Sequence, residues 1–351
     1  MLLLKFLKFL FNYHLALSYD FSMFSPYVVS VPVSGAVIIG KDLFGKDVSI
    51  AFTPNAHGVI LGSTGVGKTT LAKSIVVDLI RSGFRIIAID CEWHWIEFCR
   101  RFGFDIIELD KVVFDPFCIR SSDELEVIHN FLIGTSLFNL SREDVLTLYD
   151  VCSKVFERNG AVSFNDVISY CPRYGGLRVL LKELEFFMRG KQIIDLDLLN
   201  KHILLQLPVG GDTEVHRFII YLFLAQLFAK YMKFITDTPH TFVFIDEAHR
   251  LTRGASQFLV WALRTVRKHG FGLWLISQDP HSLDRETYSL TANAILLPGP
   301  RKYVDSLKAY FRLSDEDEEL LLSHDRGYGI YIRQGVGSVR FRVKVHEEVL
   351  T

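Results

Sequence analysis

The feature that most constrains this chain is a glycine-rich segment between an apolar run and an amphipathic helix pattern. The apolar run covers residues 57–61, and the helix pattern extends from about Lys68 to Ser82. The segment between them fits the pattern GxxxxGK[S/T] at every position. It consists of Gly62, Ser63, Thr64, Gly65, Val66, Gly67, Lys68 and Thr69. A strand, a tight loop and a helix in this order favour an α/β fold with a parallel sheet.

The glycine-rich segment has the composition of a phosphate-binding loop. Glycines allow the backbone N–H groups to point at phosphate oxygens, and the following helix adds its positive N-terminal end. Lys68 can reach the β- and γ-phosphates, and the hydroxyl of Thr69 can bind Mg²⁺. We therefore expect ATP and Mg²⁺ as cofactors, bound by the loop up to Thr70. A regulatory GTPase is disfavoured because the chain has no Asn-Lys-x-Asp segment to bind guanine.

A second apolar strand pattern ends in two acidic residues. Residues 242–245 are Phe-Val-Phe-Ile, and Asp246 and Glu247 follow directly. Beside a phosphate loop, Asp246 can hold Mg²⁺ through water, and Glu247 can orient and polarise the attacking water as a general base. The alternative is a solvated strand end without catalytic work.

Two further positions are candidates for nucleotide sensing. Gln278 follows the predicted strand 271–276, and it can sense the γ-phosphate if that strand lies between the two strands described above. Arg264 and Arg267 lie at the end of the helix before the same strand. They either complement the helix dipole or supply an arginine finger to the ATP of a neighbouring subunit.

Apolar runs alternating with helices predict an α/β fold with a central, mostly parallel sheet, and the chain divides into four segments. Residues 1–25 form an apolar, amphipathic helix, and residues 26–119 form a β lead-in and the first half of the core. Residues 120–200 form a helical insertion, and residues 201–351 complete the core and end in a β-hairpin.

The net charge and the cysteines limit the kinds of partner and of binding site that this chain can have. The net charge is −1, so any contact with nucleic acid must come from local patches rather than from a global basic field. No CxxC pair is present, which indicates buried thiols in a reducing cytoplasm instead of a zinc site or a disulfide framework. The five cysteines are Cys91, Cys99, Cys118, Cys152 and Cys171.

The N-terminal segment has a narrow cationic stripe on an apolar helix. Lys5 and Lys8 share one helical face in an otherwise leucine- and phenylalanine-rich run. Such a helix can lie at a membrane surface through residues 1–20, or it can pack on the protein's own core or on a neighbouring subunit. The expected location is the cytoplasm, with association on the cytoplasmic side of a membrane as the alternative.

Together these segments resemble the HerA/FtsK superfamily of P-loop ATPases. This superfamily includes DNA-pumping motors, ATPases of type IV secretion and conjugation, and packaging ATPases of some archaeal viruses. The similar segments cover residues 36–119 and 202–345, although the usual glycine before Glu92 is absent. They are Gly40–Gly45, Leu61–Thr70, Ile89–Trp93, Asp246–His249, Arg264–Gly270 and Ser277–Pro280.

The resemblance implies a RecA-like core that assembles into a hexameric ring with a central pore for a polymer. It assigns Gln278 as the sensor, and Arg267, or else Arg264, as the finger. The leading functional hypothesis is an ATP-hydrolysing motor that translocates double-stranded DNA. A secretion-type ATPase that moves protein or assembles a pilus at a membrane is the second. The third is a nucleotide-gated assembly module with little turnover.

Overall fold

The computed structural model describes residues 37–53, 55–133, 137–194, 201–208, 213–231, 235–252, 256–323 and 327–350. The predicted N-terminal helix, its possible membrane contact and residues 26–36 of the predicted β lead-in lie outside these ranges. Within them, no helix is both long enough and apolar enough to cross a membrane.

The described chain alternates strands and helices along most of its length. The strands are β1 (Val37–Asp42), β2 (Asp47–Ile50), β3 (Gly58–Leu61), β4 (Arg85–Asp90), β5 (Asp105–Glu108), β6 (Val112–Phe114), β7 (Gln192–Ile194), β8 (Ile203–Gln206), β9 (Thr236–Ile245), β10 (His269–Ser277), β11 (Asn293–Leu296), β12 (Tyr328–Arg333) and β13 (Gly337–Val343). The α-helices are α1 (Lys68–Arg81), α2 (Ile96–Arg101), α3 (Ser122–Ile133), α4 (Arg142–Asn159), α5 (Phe164–Tyr170), α6 (Gly175–Met188), α7 (Glu214–Tyr231), α8 (His249–Thr252), α9 (Ser256–Thr265), α10 (Arg285–Leu290), α11 (Arg301–Leu307), α12 (Asp315–Leu322) and α13 (Glu347–Leu350).

One large sheet organises the described part of the molecule. Its eleven strands have the order β2-β1-β13-β12-β11-β3-β10-β9-β4-β8-β5. The seven strands from β11 to β5 are mutually parallel, and the four from β2 to β12 extend the sheet in antiparallel fashion. The predicted α/β fold with a mostly parallel sheet is therefore confirmed. The C-terminal hairpin β12–β13 joins this same sheet between β11 and β1.

Both faces of the parallel strands are buried, because successive side chains point to opposite sides. In β3, Val59 and Leu61 belong to the hydrophobic cluster that also contains residues of helices α3–α7 and α9, whereas Ile60 belongs to the cluster that contains residues of α1 and α2. This two-sided burial explains why the parallel strands are continuous apolar runs rather than alternating ones. The ends of these strands are then the places where polar residues meet solvent and ligands.

The stretch between β6 and β7 is helical, as its sequence indicates. Ser141 and Asp144 form a reciprocal capping box at the start of α4, and Gly160 ends that helix at φ 72°. A second capping box at Ser163 begins α5, a short helix that the sequence analysis did not predict. Helices α3–α6 lie between the two halves of the sheet in sequence. The four-segment division of the chain itself stays a prediction.

The cysteines carry no disulfide in the described residues. Cys118 is partly exposed and the other four are buried, which confirms the predicted buried thiols for those four. Burial raises the pKa of Cys152 to about 12 and that of Cys171 to about 11, which keeps both thiols neutral.

Candidate active site

Three neighbouring parallel strands bring the predicted site residues to one edge of the sheet. Strand β10 pairs with β3 on one side and with β9 on the other. The loop after β3 begins at Gly62, Gln278 follows β10, and Asp246 follows β9. Since the carboxyl ends of parallel strands lie at the same edge, these residues converge there. The condition attached to Gln278, a position between the other two strands, is met.

The phosphate loop has the tight backbone that its glycines allow. Gly65 and Gly67 adopt φ angles of 78° and 98°, in the left-handed region that favours glycine. At Gly62 an added Cβ would lie 2.8 Å from Val66 Cγ2 and 2.9 Å from Leu297 Cβ. Helix α1 starts directly after Gly67, and no side chain caps its N-terminus with a hydrogen bond. The N–H groups of its first turn are therefore available to a phosphate.

Lys68 lies over the loop with its ammonium group near backbone oxygen. Its side chain is almost fully buried, and Nζ donates a hydrogen bond to the Ser63 carbonyl at 3.1 Å. Burial lowers the pKa of Lys68, and the charges of Glu247, Asp246 and Glu92 oppose that shift. A bound polyanion would oppose that shift in the same way and would stabilise the charged ammonium form of Lys68.

Asp246 and Thr69 form the part of the site that fits a magnesium ion. Thr69 Oγ1 donates to Asp246 Oδ2 at 3.0 Å, and Asp246 is only 1% exposed. Burial raises the pKa of Asp246, against hydrogen bonds from Trp95 and Thr69. No group of three or more His, Cys, Asp or Glu within the described ranges could hold a metal alone. One carboxylate and one hydroxyl fit Mg²⁺, which takes further oxygens from nucleotide phosphates and water.

Glu247 has a constrained backbone and an ionised side chain. Its φ angle of 51° lies in the left-handed region, which is uncommon for a residue with a side chain. His249 Nδ1 lies 3.1 Å from Glu247 Oε2. Burial alone would raise the pKa of Glu247, but His249 and Lys68 outweigh burial and hold that pKa below its usual value. Glu247 is therefore in the form that a general base requires.

Gln278 is joined to the phosphate loop. Thr64 Oγ1 donates to Gln278 Oε1 at 2.6 Å, although the two residues are 214 positions apart in sequence. The end of β10 also contacts the loop through the main chain, because Gly62 N donates to Ser277 O at 3.4 Å. A side chain in this position can respond to whatever occupies the loop.

Arg264 and Arg267 lie at the opposite edge of the sheet from the phosphate loop of the same chain. They precede β10, whose nine residues span roughly 30 Å before Gln278 is reached. Arg264 forms an ion pair with Glu286. Arg267 is exposed and makes no ion pair in the part of the chain described. Neither arginine is brought to the phosphate loop within one copy of the chain.

The site also contains residues that the sequence analysis did not select. Trp95 donates its indole N–H to Asp246, and Arg250 forms an ion pair with Glu92. Asp90, at the end of β4, accepts the main-chain N–H groups of Glu92 and Trp95, each at 2.9 Å. The available sequence signal was Asp90, an acid that ends a buried strand of the same sheet. The contacts of Trp95 with Asp246 and of Arg250 with Glu92 join residues more than 150 positions apart and have no local pattern.

Comparison with known proteins gives matches in sequence. A family model described as the central domain of helicase HerA matches residues 39–173. A relative from Sulfolobus acidocaldarius, the DNA double-strand break repair helicase HerA, is 27% identical over 338 residues. That alignment covers 85% of this chain and 67% of the relative.

Solved structures share the architecture. VirB4 of Thermoanaerobacter pseudethanolicus aligns with a TM-score of 0.72 at 19% identity, covering 92% of this chain and 99% of VirB4. The plasmid coupling protein TrwB in complex with ADP and Mg²⁺ aligns with a TM-score of 0.54 at 14% identity, covering 83% of this chain and 86% of TrwB. At these identities the structural likeness establishes the shared fold, which confirms the predicted fold class.

Proposed function

We propose that this chain, a P-loop ATPase of the HerA/FtsK type, hydrolyses ATP with Mg²⁺ and moves double-stranded DNA through a ring of its own copies. The observation that carries the ATPase chemistry is the contact between Thr69 and Asp246 at 3.0 Å beside Lys68. The proposal of DNA as the substrate is supported by the similarity to a DNA repair helicase over 85% of this chain.

The phosphate loop binds and orients the nucleotide. Its backbone N–H groups and the first turn of α1 bind phosphate oxygens, and Lys68 turns from Ser63 O toward the β- and γ-phosphates. Thr69 and Asp246 hold the Mg²⁺ ion, which when bound neutralises charge on the transferred phosphoryl group. These residues bring the reacting group to a fixed place, which is most of what phosphoryl transfer requires of a protein.

Glu247 acts on the attacking water. Its ionised carboxylate orients the water and accepts its proton. Gln278, held against Thr64, detects the γ-phosphate and changes its contact when that group leaves. Because Gln278 directly follows β10, a change there alters the strand that connects the two edges of the sheet.

A neighbouring copy completes the site. Arg267 is our first choice for the finger, since Arg264 is already paired with Glu286 whereas Arg267 makes no ion pair within the described residues. In a ring, the edge that carries Arg267 faces the nucleotide of the next copy, and the guanidinium stabilises charge during transfer. A hexamer is the ring size that we propose.

Steady-state ATP hydrolysis with and without long double-stranded DNA tests this function, with Lys68→Ala as the inactive reference. We expect stimulation of several-fold that weakens as salt is raised, because phosphate contacts release counterions. Turnover that depends on Lys68 but not on DNA would contradict the motor and favour a secretion-type ATPase. Nucleotide binding without turnover would favour a nucleotide-gated assembly module.

A further inference from the structure

The carboxylate of Asp246 accepts three hydrogen bonds, from the next residue in the chain, from helix α1 and from the loop after β4. Glu247 N donates to Oδ1 at 3.0 Å. Thr69 Oγ1 and Trp95 Nε1 both donate to Oδ2, at 3.0 Å and 2.8 Å. Two donors on one oxygen fix the plane of the carboxylate. They also leave Oδ1, which accepts a single donor, with the remaining capacity to accept.

The ring of Trp95 is held by its surroundings, which fixes the direction of its indole N–H. The side chain is 0% exposed. Its ring packs edge-on against Phe98, with centroids 5.8 Å apart, and tilts against Phe244 at 6.3 Å. Its main-chain N–H is bound by Asp90 Oδ2 at 2.9 Å. The loop after β4 is thus folded around Asp90 in a way that points the indole at Asp246.

The donor on this oxygen has a chemical consequence for a metal site. A tryptophan N–H can only donate, so it stabilises the ionised carboxylate and never competes as a ligand. Thr69 has one hydroxyl proton. Because this proton is donated to Asp246 in a hydrogen bond, the lone pairs of the Thr69 hydroxyl oxygen would remain available to a metal ion.

We propose that Trp95 is a positioning residue of the magnesium site, whose indole N–H fixes the orientation of the Asp246 carboxylate and so sets the affinity for Mg²⁺. This inference rests on the proposed chemistry of ATP and Mg²⁺, but it is independent of DNA as the substrate.

Trp274 offers a matched control in the same core. It is also 0% exposed, and it stacks against Phe244 with centroids 5.9 Å apart. Its indole N–H donates at 3.0 Å to the backbone carbonyl of Ala56, not to a carboxylate. Replacing either tryptophan by phenylalanine removes the same atoms from the same hydrophobic cluster. Only the replacement at Trp95 removes a donor to Asp246.

The experiment is a Mg²⁺ titration of the binding of a fluorescent ATP analogue, without DNA, to wild type, Trp95→Phe and Trp274→Phe. We expect Trp95→Phe to raise the apparent Kd for Mg²⁺ roughly tenfold or more, because it removes a hydrogen bond to a charged group. Affinity for the analogue in EDTA should be unchanged, and Trp274→Phe should leave the Mg²⁺ constant at its wild-type value. Both variants should show a similar fall in melting temperature.

An unchanged Mg²⁺ constant in Trp95→Phe would overturn the inference, as would an equal rise in Trp274→Phe. These outcomes leave the proposed function untouched, because DNA is absent and the wild type still binds nucleotide with Mg²⁺. If Mg²⁺ has no effect on nucleotide binding by the wild type, the proposed chemistry fails, and this inference fails with it.

A second measurement does not require the Trp95 variant to fold. The chain has four tryptophans, so ¹⁵N-indole labelling gives four N–H resonances. We expect Asp246→Asn to shift one resonance that Trp93→Phe, Trp261→Phe and Trp274→Phe each leave present, which identifies it as that of Trp95. Four unshifted resonances in Asp246→Asn would overturn the inference.

Discussion

At the scale of single residues, the proposed chemistry depends on Glu247, an acidic residue whose backbone conformation is uncommon. Glu247 has a φ angle of 51°, and such a conformation costs of order 1–3 kcal/mol. It is held because Glu247 N donates to the Asp246 side chain and because Ala248 N donates to Ile276 O. This turn links the end of β9 to the end of β10. It also orients the side chains of Asp246 and Glu247 differently, as their proposed roles as Mg²⁺ ligand and general base require.

Replacement of Glu247 by glutamine separates binding from catalysis. Glutamine keeps the size and loses the base, so we expect kcat to fall roughly 100-fold to 10,000-fold. Nucleotide affinity should change little. Single-site turnover and the binding of the fluorescent ATP analogue measure the two quantities on the same preparation.

Glu92 is the matched control for this change, since it is an acid near Lys68 that is paired with Arg250. We expect Glu92→Gln to lower kcat far less than Glu247→Gln does. A loss in Glu92→Gln that equals or exceeds that in Glu247→Gln would show that the base is assigned to the wrong residue.

At the scale of elements, a buried histidine joins β10 to α9 behind the site. His57 Nδ1 accepts from Leu273 N at 2.9 Å, and its Nε2 donates to Leu263 O at 3.0 Å. Burial lowers the pKa of His57 to about 4, against the hydrogen bond to Leu263. Both ring nitrogens are in use only when the imidazole is neutral.

This histidine makes stability depend on pH in a defined direction. The pKa of the folded state lies below the unfolded value of about 6.5, so the unfolded chain binds the proton first. The contribution of His57 is complete above pH 6.5 and is lost as pH falls to about 4. The free energy of unfolding of the wild type should therefore fall by about 3 kcal/mol more than that of His57→Gln over this range. Parallel curves in urea unfolding would contradict this account.

Individual strands and helices were easier to predict from the sequence than the way in which they pair and pack. The phosphate loop and the strand before Asp246 follow from local pattern. The glycines of the motif indicate the conformation of the loop, and the continuous apolar run indicates a buried strand. Helix α5 was missed, since seven residues show too little periodicity. Strand β9 begins at Thr236, well before the apolar run 242–245 from which the sequence indicates a strand, and it includes Pro239. Its pairing with β4 starts only at Thr241, so Pro239 lies where that ladder is absent.

The site could be predicted only in part. Lys68, Thr69, Asp246 and Glu247 were selected from pattern, and they lie together at one edge of the sheet. The partners of these residues were not predictable, because no local periodicity connects Trp95 to Asp246 or Glu92 to Arg250. The insertion of β12 and β13 between β11 and β1 was hidden for the same reason, since strand order is decided by long-range packing.

At the scale of the whole molecule, the two edges of the sheet have different tasks in the proposed ring. One edge carries the nucleotide loop and the other carries Arg267, so a single copy has both halves of a site but cannot join them. We expect Arg267→Ala to lower turnover by at least roughly tenfold, since an arginine finger stabilises the transferring group. Lys268→Ala, at the neighbouring exposed cation, should retain activity.

Mixed rings test whether the arginine acts between copies. Arg267→Ala and Lys68→Ala proteins, co-expressed and purified through two tags, should recover turnover that neither has alone. In random mixing roughly a quarter of the interfaces combine an intact loop with an intact arginine. A mixture no more active than its parents would contradict the finger in trans.

The central claim, that ATP hydrolysis at this edge of the sheet moves double-stranded DNA, is tested most directly by displacement of a third strand from a duplex. Wild type with ATP and Mg²⁺ should displace a triplex-forming oligonucleotide after a lag that grows with the length of the duplex leading to it. Glu247→Gln should bind the same DNA and displace nothing. A wild type that hydrolyses ATP but leaves the third strand in place at every length would contradict the account.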